Sequence, residues 1–114
     1  MGRILGNGPG TPAPQASYEM NVVWTSEALE DLEAVRVFIA KNDPAAAKRM
    51  VRRIYRYAAD VLPSHPEIGR AGRIVGTREL VVPKTAFVVP YRLQASAIYV
   101  LRVYHAARRW PEAL

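Results

Sequence analysis

The sequence predicts an α+β fold, in which a short N-terminal strand and an antiparallel helical hairpin precede an antiparallel sheet of three or four strands. Two patterns lead to this prediction. Between residues 26 and 62, apolar residues recur at spacings of three and four, the period of an amphipathic helix. From residue 78 onward, three apolar runs of strand length succeed one another across short turns. Helices followed by consecutive strands are typical of a hairpin that covers one face of a sheet.

The N-terminal part of the predicted domain contains the strand and both helices. Residues 21–24 are a strand candidate, and Thr25 or Ser26 can cap the helix predicted over 26–41. Asp43 is a second capping residue, and Pro44 after it suits the first position of a helix predicted over 44–62. Because the connection between the two helices is tight, we expect them to pack antiparallel.

The C-terminal part reads as a meander of strands. A short strand is possible at 73–75, and longer ones are predicted over the ranges 78–82, 86–92 and 97–104. Strict alternation from Ile98 would place His105 on the same face as Tyr99 and Val103. If that face is buried, His105 is a structural residue hydrogen-bonded at the end of the sheet.

Length and composition limit the classes of protein that fit. A chain of 114 residues is expected to form one domain, and a hydrophobic share of 50% is typical of a globular core. The chain has no cysteine, which excludes disulfides and thiolate metal sites and fits a cytoplasmic location. No apolar run approaches the roughly 20 residues that span a bilayer, so no membrane anchor is expected.

Residues 1–19 differ in composition from the rest of the chain. Glycine, proline, alanine and serine dominate residues 6–17, and such a segment buries too little apolar area to offset its ordering entropy. We interpret residues 1–19 as a flexible leader or a tail left by cloning, with Met20 as a possible native start. The folded domain is then predicted over residues 20–114.

The charge of the chain is positive and unevenly distributed. The net charge is +6 with a pI near 10.1; the first helix is acidic, whereas the second carries a stripe of basic residues, namely Lys48, Arg49, Arg52, Arg53 and Arg56. A basic excess of this kind favours a nucleic acid or an acidic protein as partner, although a basic domain can also lack either. The two histidines, His65 and His105, have no ligand spacing and no glycine-rich phosphate loop is present, so neither a metal nor a cofactor is predicted.

Three motifs in a fixed order point to a known family. After the strand and the helical hairpin come PEIGRAGRIVGTREL (66–80), FVVPYR (87–92) and IYVLRVYHAARRWP (98–111). In this order the motifs resemble the RelE/ParE superfamily of toxins from type II toxin–antitoxin systems, and the likeness covers nearly all of residues 20–111. The resemblance implies a compact toxin domain that a cognate antitoxin neutralises by wrapping its C-terminal segment around it.

The superfamily divides by target, and the resemblance implies a different role for the site in each branch. RelE-like members are ribosome-dependent endoribonucleases, and the corresponding set here would be His105, Arg73, Arg78 and Arg108. ParE-like members inhibit DNA gyrase and are not nucleases. Ala106 stands where a nuclease with a His-Tyr ending has its tyrosine, and GTRELVV and LRVYHAARRWP are more similar to the ParE branch. We therefore expect a ParE-like gyrase inhibitor, with the RelE-like nuclease as the alternative.

This expectation implies two contact surfaces. The gyrase-binding surface is predicted at the arginines of the sheet end and C-terminal segment, namely Arg78, Arg92, Arg102, Arg108 and Arg109. The antitoxin, expected to be ParD-like, is predicted to lay an amphipathic helix in an apolar groove or to add a strand to a sheet edge. Its contacts are predicted to be Leu29, Leu32, Val35, Arg52, Ile54 and Arg56. In the nuclease alternative, the partners are the ribosome and mRNA.

Overall fold

The computed structural model describes residues 20–107 and confirms the predicted α+β architecture. A helical hairpin lies against a mixed sheet. The elements in chain order are β1 (Asn21–Trp24), α1 (Ser26–Ala40), α2 (Pro44–Val61), β2 (Arg70–Ala71), β3 (Arg78–Val81), β4 (Phe87–Gln94), β5 (Ala97–Val100) and β6 (Tyr104–His105). The expectations for residues 1–19, Arg108 and Arg109 lie outside the described residues.

Both helices begin where the sequence predicts. The Thr25 hydroxyl accepts a hydrogen bond from the backbone N–H of Ala28 at 3.2 Å and donates to the carbonyl of Val100 at 2.9 Å. One side chain thus caps α1 and attaches it to the sheet. Asp43 caps α2 by accepting from the N–H of Ala46 at 3.0 Å, and Pro44 occupies the first turn, where its missing N–H has no partner to lose.

The sheet has the strand order β1-β5-β4-β3-β2, with β6 pairing the free end of β4. All pairs are antiparallel except β1 with β5, which run parallel, so the N-terminal strand is an edge of the same sheet. The range predicted as one strand, 97–104, is divided: β5 ends at Val100, and three residues intervene before β6. The short strand considered at 73–75 lies instead at Arg70–Ala71, because those residues pair with Glu79 and Arg78.

The core lies between the hairpin and one face of the sheet. Paired residues of neighbouring strands point to the same face, and the pairs Leu80–Val89, Tyr91–Val100 and Leu93–Ile98 place their side chains toward the helices. From α2, Ile54 and Ala58 pack into this layer and are fully buried. Burial of one such large aliphatic side chain stabilises the fold by roughly 1.5–3 kcal/mol. Within residues 20–107, no helix combines the length and apolar character needed to cross a membrane.

Candidate functional site

At one end of the sheet, arginines surround a buried carboxylate. Glu79 on β3 is 2% exposed, and its two oxygens accept hydrogen bonds from Arg70 Nε at 3.1 Å and from the backbone N–H of Arg73 at 2.8 Å. The Arg73 guanidinium lies 3.5 Å from the same carboxylate. These bonds compensate the desolvation of Glu79 and hold the loop after β2 against β3. Arg73 therefore has a structural role in this fold.

Arg78 and Tyr91 hold the loop that leads into β2. Arg78 Nη1 donates to the carbonyl oxygens of Glu67 and Gly69 at 3.1 and 2.9 Å. The Tyr91 hydroxyl donates to the carbonyl of Pro66 at 2.7 Å and accepts from the N–H of Gly69 at 2.9 Å, and burial raises the pKa of Tyr91. A Cβ on Gly69 would lie 2.7 Å from the Tyr91 hydroxyl, so only glycine fits there without a shift. Much of the hydrogen-bonding capacity of Arg78 is thus used inside the fold.

Arg102 connects the β5–β6 segment to α1. Its Nε and Nη2 donate to the two oxygens of Asp31 at 2.7 and 3.0 Å, and the backbone N–H of Val103 donates to Asp31 at 2.9 Å. The hydrogen bond to Asp31 raises the pKa of Arg102, and the guanidinium carbon lies 5.0 Å from the ring centroid of Tyr104. This attachment draws residues 101–103 toward the helix and accounts for the interruption of the predicted strand. The sequence showed Asp31 only as one acidic residue of an acidic helix.

His105 lies on the other side of β4 from the glutamate cluster, in register with Phe87 at the start of the strand, whereas Glu79 is in register with Pro90 near its middle. Its Nδ1 accepts a hydrogen bond from the N–H of Ala107 at 3.2 Å, and its ring meets that of Phe87 edge-on at 5.6 Å between centroids. Burial alternates within β5, where Ile98 and Val100 are buried and Tyr99 is half-buried. Because the strand is interrupted between Val100 and Tyr104, this alternation cannot be extended to His105. His105 is itself only partly buried.

The remaining predicted target-binding arginine, Arg92, is the least constrained of those described at the sheet. It lies on the face of the sheet opposite to Tyr91 and donates one hydrogen bond to the carbonyl of Gly76 at 3.3 Å. Gly76 has a φ of 83° and closes the turn before β3; a Cβ there would lie 2.7 Å from Arg92 Nη1. The turn thus positions Arg92 at the surface.

A groove with apolar walls runs between α1 and the β4–β6 end of the sheet. Its volume is about 440 Å³, and its walls are formed chiefly by Val35, Phe38, Ile39 and Phe87, with Asp31 and Arg102 also among the lining residues. The Phe38 side chain is 61% exposed. Of the predicted antitoxin contacts, Val35 lies in this apolar groove and Leu29 is exposed on α1, but Leu32 and Ile54 belong to the core and are not available to a partner.

A second concave surface lies between α2 and the β3–β4 turn. We call it the basic cleft; it has a volume of about 740 Å³ and is lined by Ala46, Arg49, Met50, Arg52, Arg53, Arg56, Tyr57 and Lys84. Arg52 and Arg56 thus lie apart from the apolar groove. Lys84 lies in the turn between β3 and β4, which brings it to the same cleft as the four arginines of α2. Its φ is 63°. Within residues 20–107, none of these five cations forms an ion pair or side-chain hydrogen bond.

No metal site is apparent in the part of the chain that the structure describes, because no three histidine, aspartate or glutamate side chains cluster there. The fold and its surfaces can be compared with solved structures. The ParDE toxin–antitoxin system of P. aeruginosa contains a chain that superposes with a TM-score of 0.70 at 25% identity, over 77% of this chain and 97% of that one. The RelBE2 toxin–antitoxin complex of Mycobacterium tuberculosis shares the fold at a TM-score of 0.56 and 23% identity. The class is therefore that of proteins from toxin–antitoxin systems.

Sequence comparison places the chain within that class. The family described as ParE toxin of type II toxin–antitoxin system, parDE, matches residues 22–110. Toxin Y4kP of Sinorhizobium fredii is 43% identical over 91 residues, which are 80% of this chain and 93% of that protein. Toxin RelE2 of Caulobacter vibrioides is 40% identical over 87 residues, covering 76% of this chain and 96% of that toxin. The chain belongs to the ParE toxin family of the RelE/ParE superfamily.

Proposed function

We propose that this toxin inhibits DNA gyrase without catalysis of its own and is held inactive in the cytoplasm by a cognate ParD-like antitoxin. The observation that carries the proposal is the separation of the residues that a nuclease would need. Arg73 and Arg78 lie at the glutamate cluster, in register with the middle of β4, whereas His105 lies on the other side of β4, in register with its first residue, Phe87.

The separation can be estimated from the sheet. Arg78 is in register with Tyr91, four residues along β4 from Phe87, and β3 and β6 flank opposite sides of β4. Strand rise and strand spacing then put the Cα atoms of Arg78 and His105 about 16 Å apart. A general base has to reach the proton it removes within a hydrogen bond while cations hold the same phosphate. Among the described residues, His105 and these arginines do not meet that requirement.

The RelE-like ribonuclease remains the second candidate, because a relative at 40% identity and another at 34%, both from Caulobacter vibrioides, are named RelE toxins. In that function, His105 would act as the general base and the arginines, including Arg108, would bind the scissile phosphate.

The deciding experiment compares gyrase supercoiling with ribosome-dependent mRNA cleavage, using the wild type, His105→Ala and His65→Ala. His65 is the matched control because it is the other histidine and is exposed in the loop after α2. We expect inhibited supercoiling, intact mRNA and no effect of either substitution. Cleavage of mRNA that is lost in His105→Ala but kept in His65→Ala, with gyrase unaffected, would overturn the proposal.

For the gyrase contact, we propose Arg92 as the principal described arginine, together with Arg108 and Arg109. Among residues 20–107, the side chain of Arg92 donates one hydrogen bond, whereas those of Arg78 and Arg102 donate two each. Arg92→Ala is expected to weaken supercoiling inhibition several-fold, with Lys41→Ala on the distal end of α1 as the control for lost charge. Equal inhibition by Arg92→Ala and wild type would move the contact elsewhere.

For the antitoxin, we propose that an amphipathic segment docks in the apolar groove. An exposed aromatic in a preformed concave surface is a usual anchor for such a helix. Both structural relatives are toxin–antitoxin systems, which supports a cognate partner. Arg52 and Arg56 lie outside this groove, and an acidic antitoxin segment is one of two candidate partners for them.

The groove is tested with two substitutions on one helix. Phe38 lines the groove, whereas its neighbour Val37 is 46% exposed and does not. Phe38→Ala is expected to weaken antitoxin binding at least tenfold by calorimetry, and Val37→Ala to leave it within twofold, because only Phe38 would be buried by the partner. Equal affinities for both variants would exclude the groove as the docking site.

A further inference from the structure

The basic cleft stands out because its cations are not used by the fold. Arg49, Arg52, Arg53 and Arg56 recur along α2 at spacings of three and four, so they share one face of the helix. From the first to the last they span seven residues, about 10.5 Å at the helical rise. Lys84 adds a fifth charge from the facing turn, and no carboxylate is among the described residues that line the cleft.

We infer that this cleft binds the phosphate backbone of B-form duplex DNA. The inference goes beyond gyrase inhibition, because it names a ligand that this chain contacts by itself. Arginine suits phosphate particularly well, since its planar guanidinium offers several donors in a fixed geometry. The ligand must supply many negative charges over a short distance to match five cations.

Charge density distinguishes DNA from an acidic peptide. Duplex DNA carries one negative charge per about 1.7 Å of its axis when both strands are counted, so about six phosphates, three on each strand, lie within the 10.5 Å covered by the arginines. An extended peptide rises about 3.3 Å per residue with alternate side chains on opposite faces, so it presents about two carboxylates over that length. Five cations that form no ion pair among residues 20–107 therefore match a duplex better than an acidic segment.

Shape distinguishes B-form DNA from single strands and from duplex RNA. Binding of single strands needs open aromatic faces on which bases stack, but Tyr57 is half-buried and the ring of Tyr55 stacks on Trp24 at 4.9 Å between centroids. α2 forms one wall of the cleft. With one DNA strand lying along the cleft between α2 and the β3–β4 turn, α2 would lie in the adjoining major groove, which is roughly 12 Å wide in B-DNA. The major groove of A-form RNA is too narrow to admit it.

The test measures binding of the full-length toxin alone to a fluorescein-labelled DNA duplex of about 20 base pairs, by anisotropy over a range of KCl concentrations. Arg52→Ala and Arg56→Ala are compared with Lys48→Ala, which removes one charge from the same exposed helix outside the cleft. Each arginine substitution is expected to lower the slope of log K against log salt by about 0.9 and the affinity at about 0.1 M salt roughly tenfold. Lys48→Ala is expected to retain the wild-type slope.

Poly-glutamate and a duplex RNA of the same length serve as competitors in the same assay, and circular dichroism checks that each variant is folded. Weaker competition by both than by unlabelled duplex DNA would support the inference. The inference is overturned if the three variants lose affinity equally, if none loses affinity, or if poly-glutamate competes better than duplex DNA. The last result would assign the cleft to an acidic protein segment such as the antitoxin.

Discussion

Two groups of arginines in this toxin have the same side-chain chemistry but differ in whether groups of the fold bond to them. Arg70, Arg73 and Arg78 at the glutamate cluster, and Arg102 in the segment between β5 and β6, bond to carboxylates or carbonyl oxygens of the fold. On α2, the side chains of the basic-cleft arginines form no hydrogen bond or ion pair among residues 20–107. A guanidinium that already satisfies a buried carboxylate contributes to stability and has fewer donors left for a ligand. Availability, rather than the number of arginines, therefore indicates where a polyanion can bind.

The largest effect on stability is expected at the carboxylate that organises the sheet end. Glu79→Gln removes the charge that Arg70 and Arg73 share and replaces one acceptor oxygen by a donor in a buried position. We expect a loss of about 3 kcal/mol in the free energy of unfolding, measured by urea denaturation. Glu33→Gln, on the exposed Glu33–Arg36 pair of α1, is the control and should unfold at the wild-type midpoint. Similar midpoints for both variants would show that the sheet-end arginines are as free as those of α2.

A smaller loss is expected when the hydroxyl under the 66–69 loop is removed. Tyr91→Phe leaves the N–H of Gly69 buried without its acceptor, which costs about 2 kcal/mol. Val88→Ala shortens another buried side chain of the same strand and shows how β4 responds to a loss of packing without the loss of a hydrogen bond. A Tyr91→Phe variant as stable as wild type would mean that Arg78 alone holds the loop.

The buried hydroxyl of Tyr91 also leads us to expect that the free energy of unfolding depends on pH. Burial raises the pKa of Tyr91 in the folded state, so the folded protein keeps its phenolic proton at pH values where the unfolded chain has lost it. This contribution is complete below the unfolded pKa of about 10 and is lost as the pH rises from there through the folded pKa. Denaturation curves between about pH 9 and 11 should show a shallower alkaline loss for Tyr91→Phe than for wild type. Burial also raises the pKa of Tyr104, so part of the loss should remain.

The Asp31–Arg102 pair is expected to contribute less, because the Arg102 side chain is 34% exposed. Asp31→Asn keeps one acceptor oxygen for Arg102 or Val103 and should lower the free energy of unfolding by about 1 kcal/mol. Hydrogen exchange at Val103 should accelerate with it, since its N–H donates to Asp31. Unchanged exchange would mean that residues 101–103 are held by other contacts.

The smallest effect is expected on α2. Arg52→Ala or Arg53→Ala removes an exposed side chain with no bond in the described fold, so stability should stay within about 0.5 kcal/mol of wild type. The removal of like charges along one helix face could even raise the urea midpoint slightly. A loss comparable to that of Glu79→Gln would contradict the distinction between the two groups.

The local features of the fold could be predicted because they depend on residues close together in the chain. The Asp43-Pro44 pair starts α2 where expected, and one of the two proposed caps, Thr25, starts α1. The extent of burial could not be predicted in the same way. The apolar periodicity of the first helix includes both Leu29 and Leu32, yet Leu32 is in the core while Leu29 is exposed. How much of an apolar face its neighbours cover depends on packing.

The sequence by itself determined the α+β class, the order of the elements, the family resemblance and the basic face of α2, since each depends on composition, periodicity or local spacing. Only the tertiary structure decided that β1 joins β5 in parallel, that Asp31 holds Arg102 71 residues away, and that Lys84 faces the arginines of α2. The physical reason is that pairing between distant residues depends on the register of the sheet and the placement of the hairpin. The same pairing determines which arginines remain available to a partner.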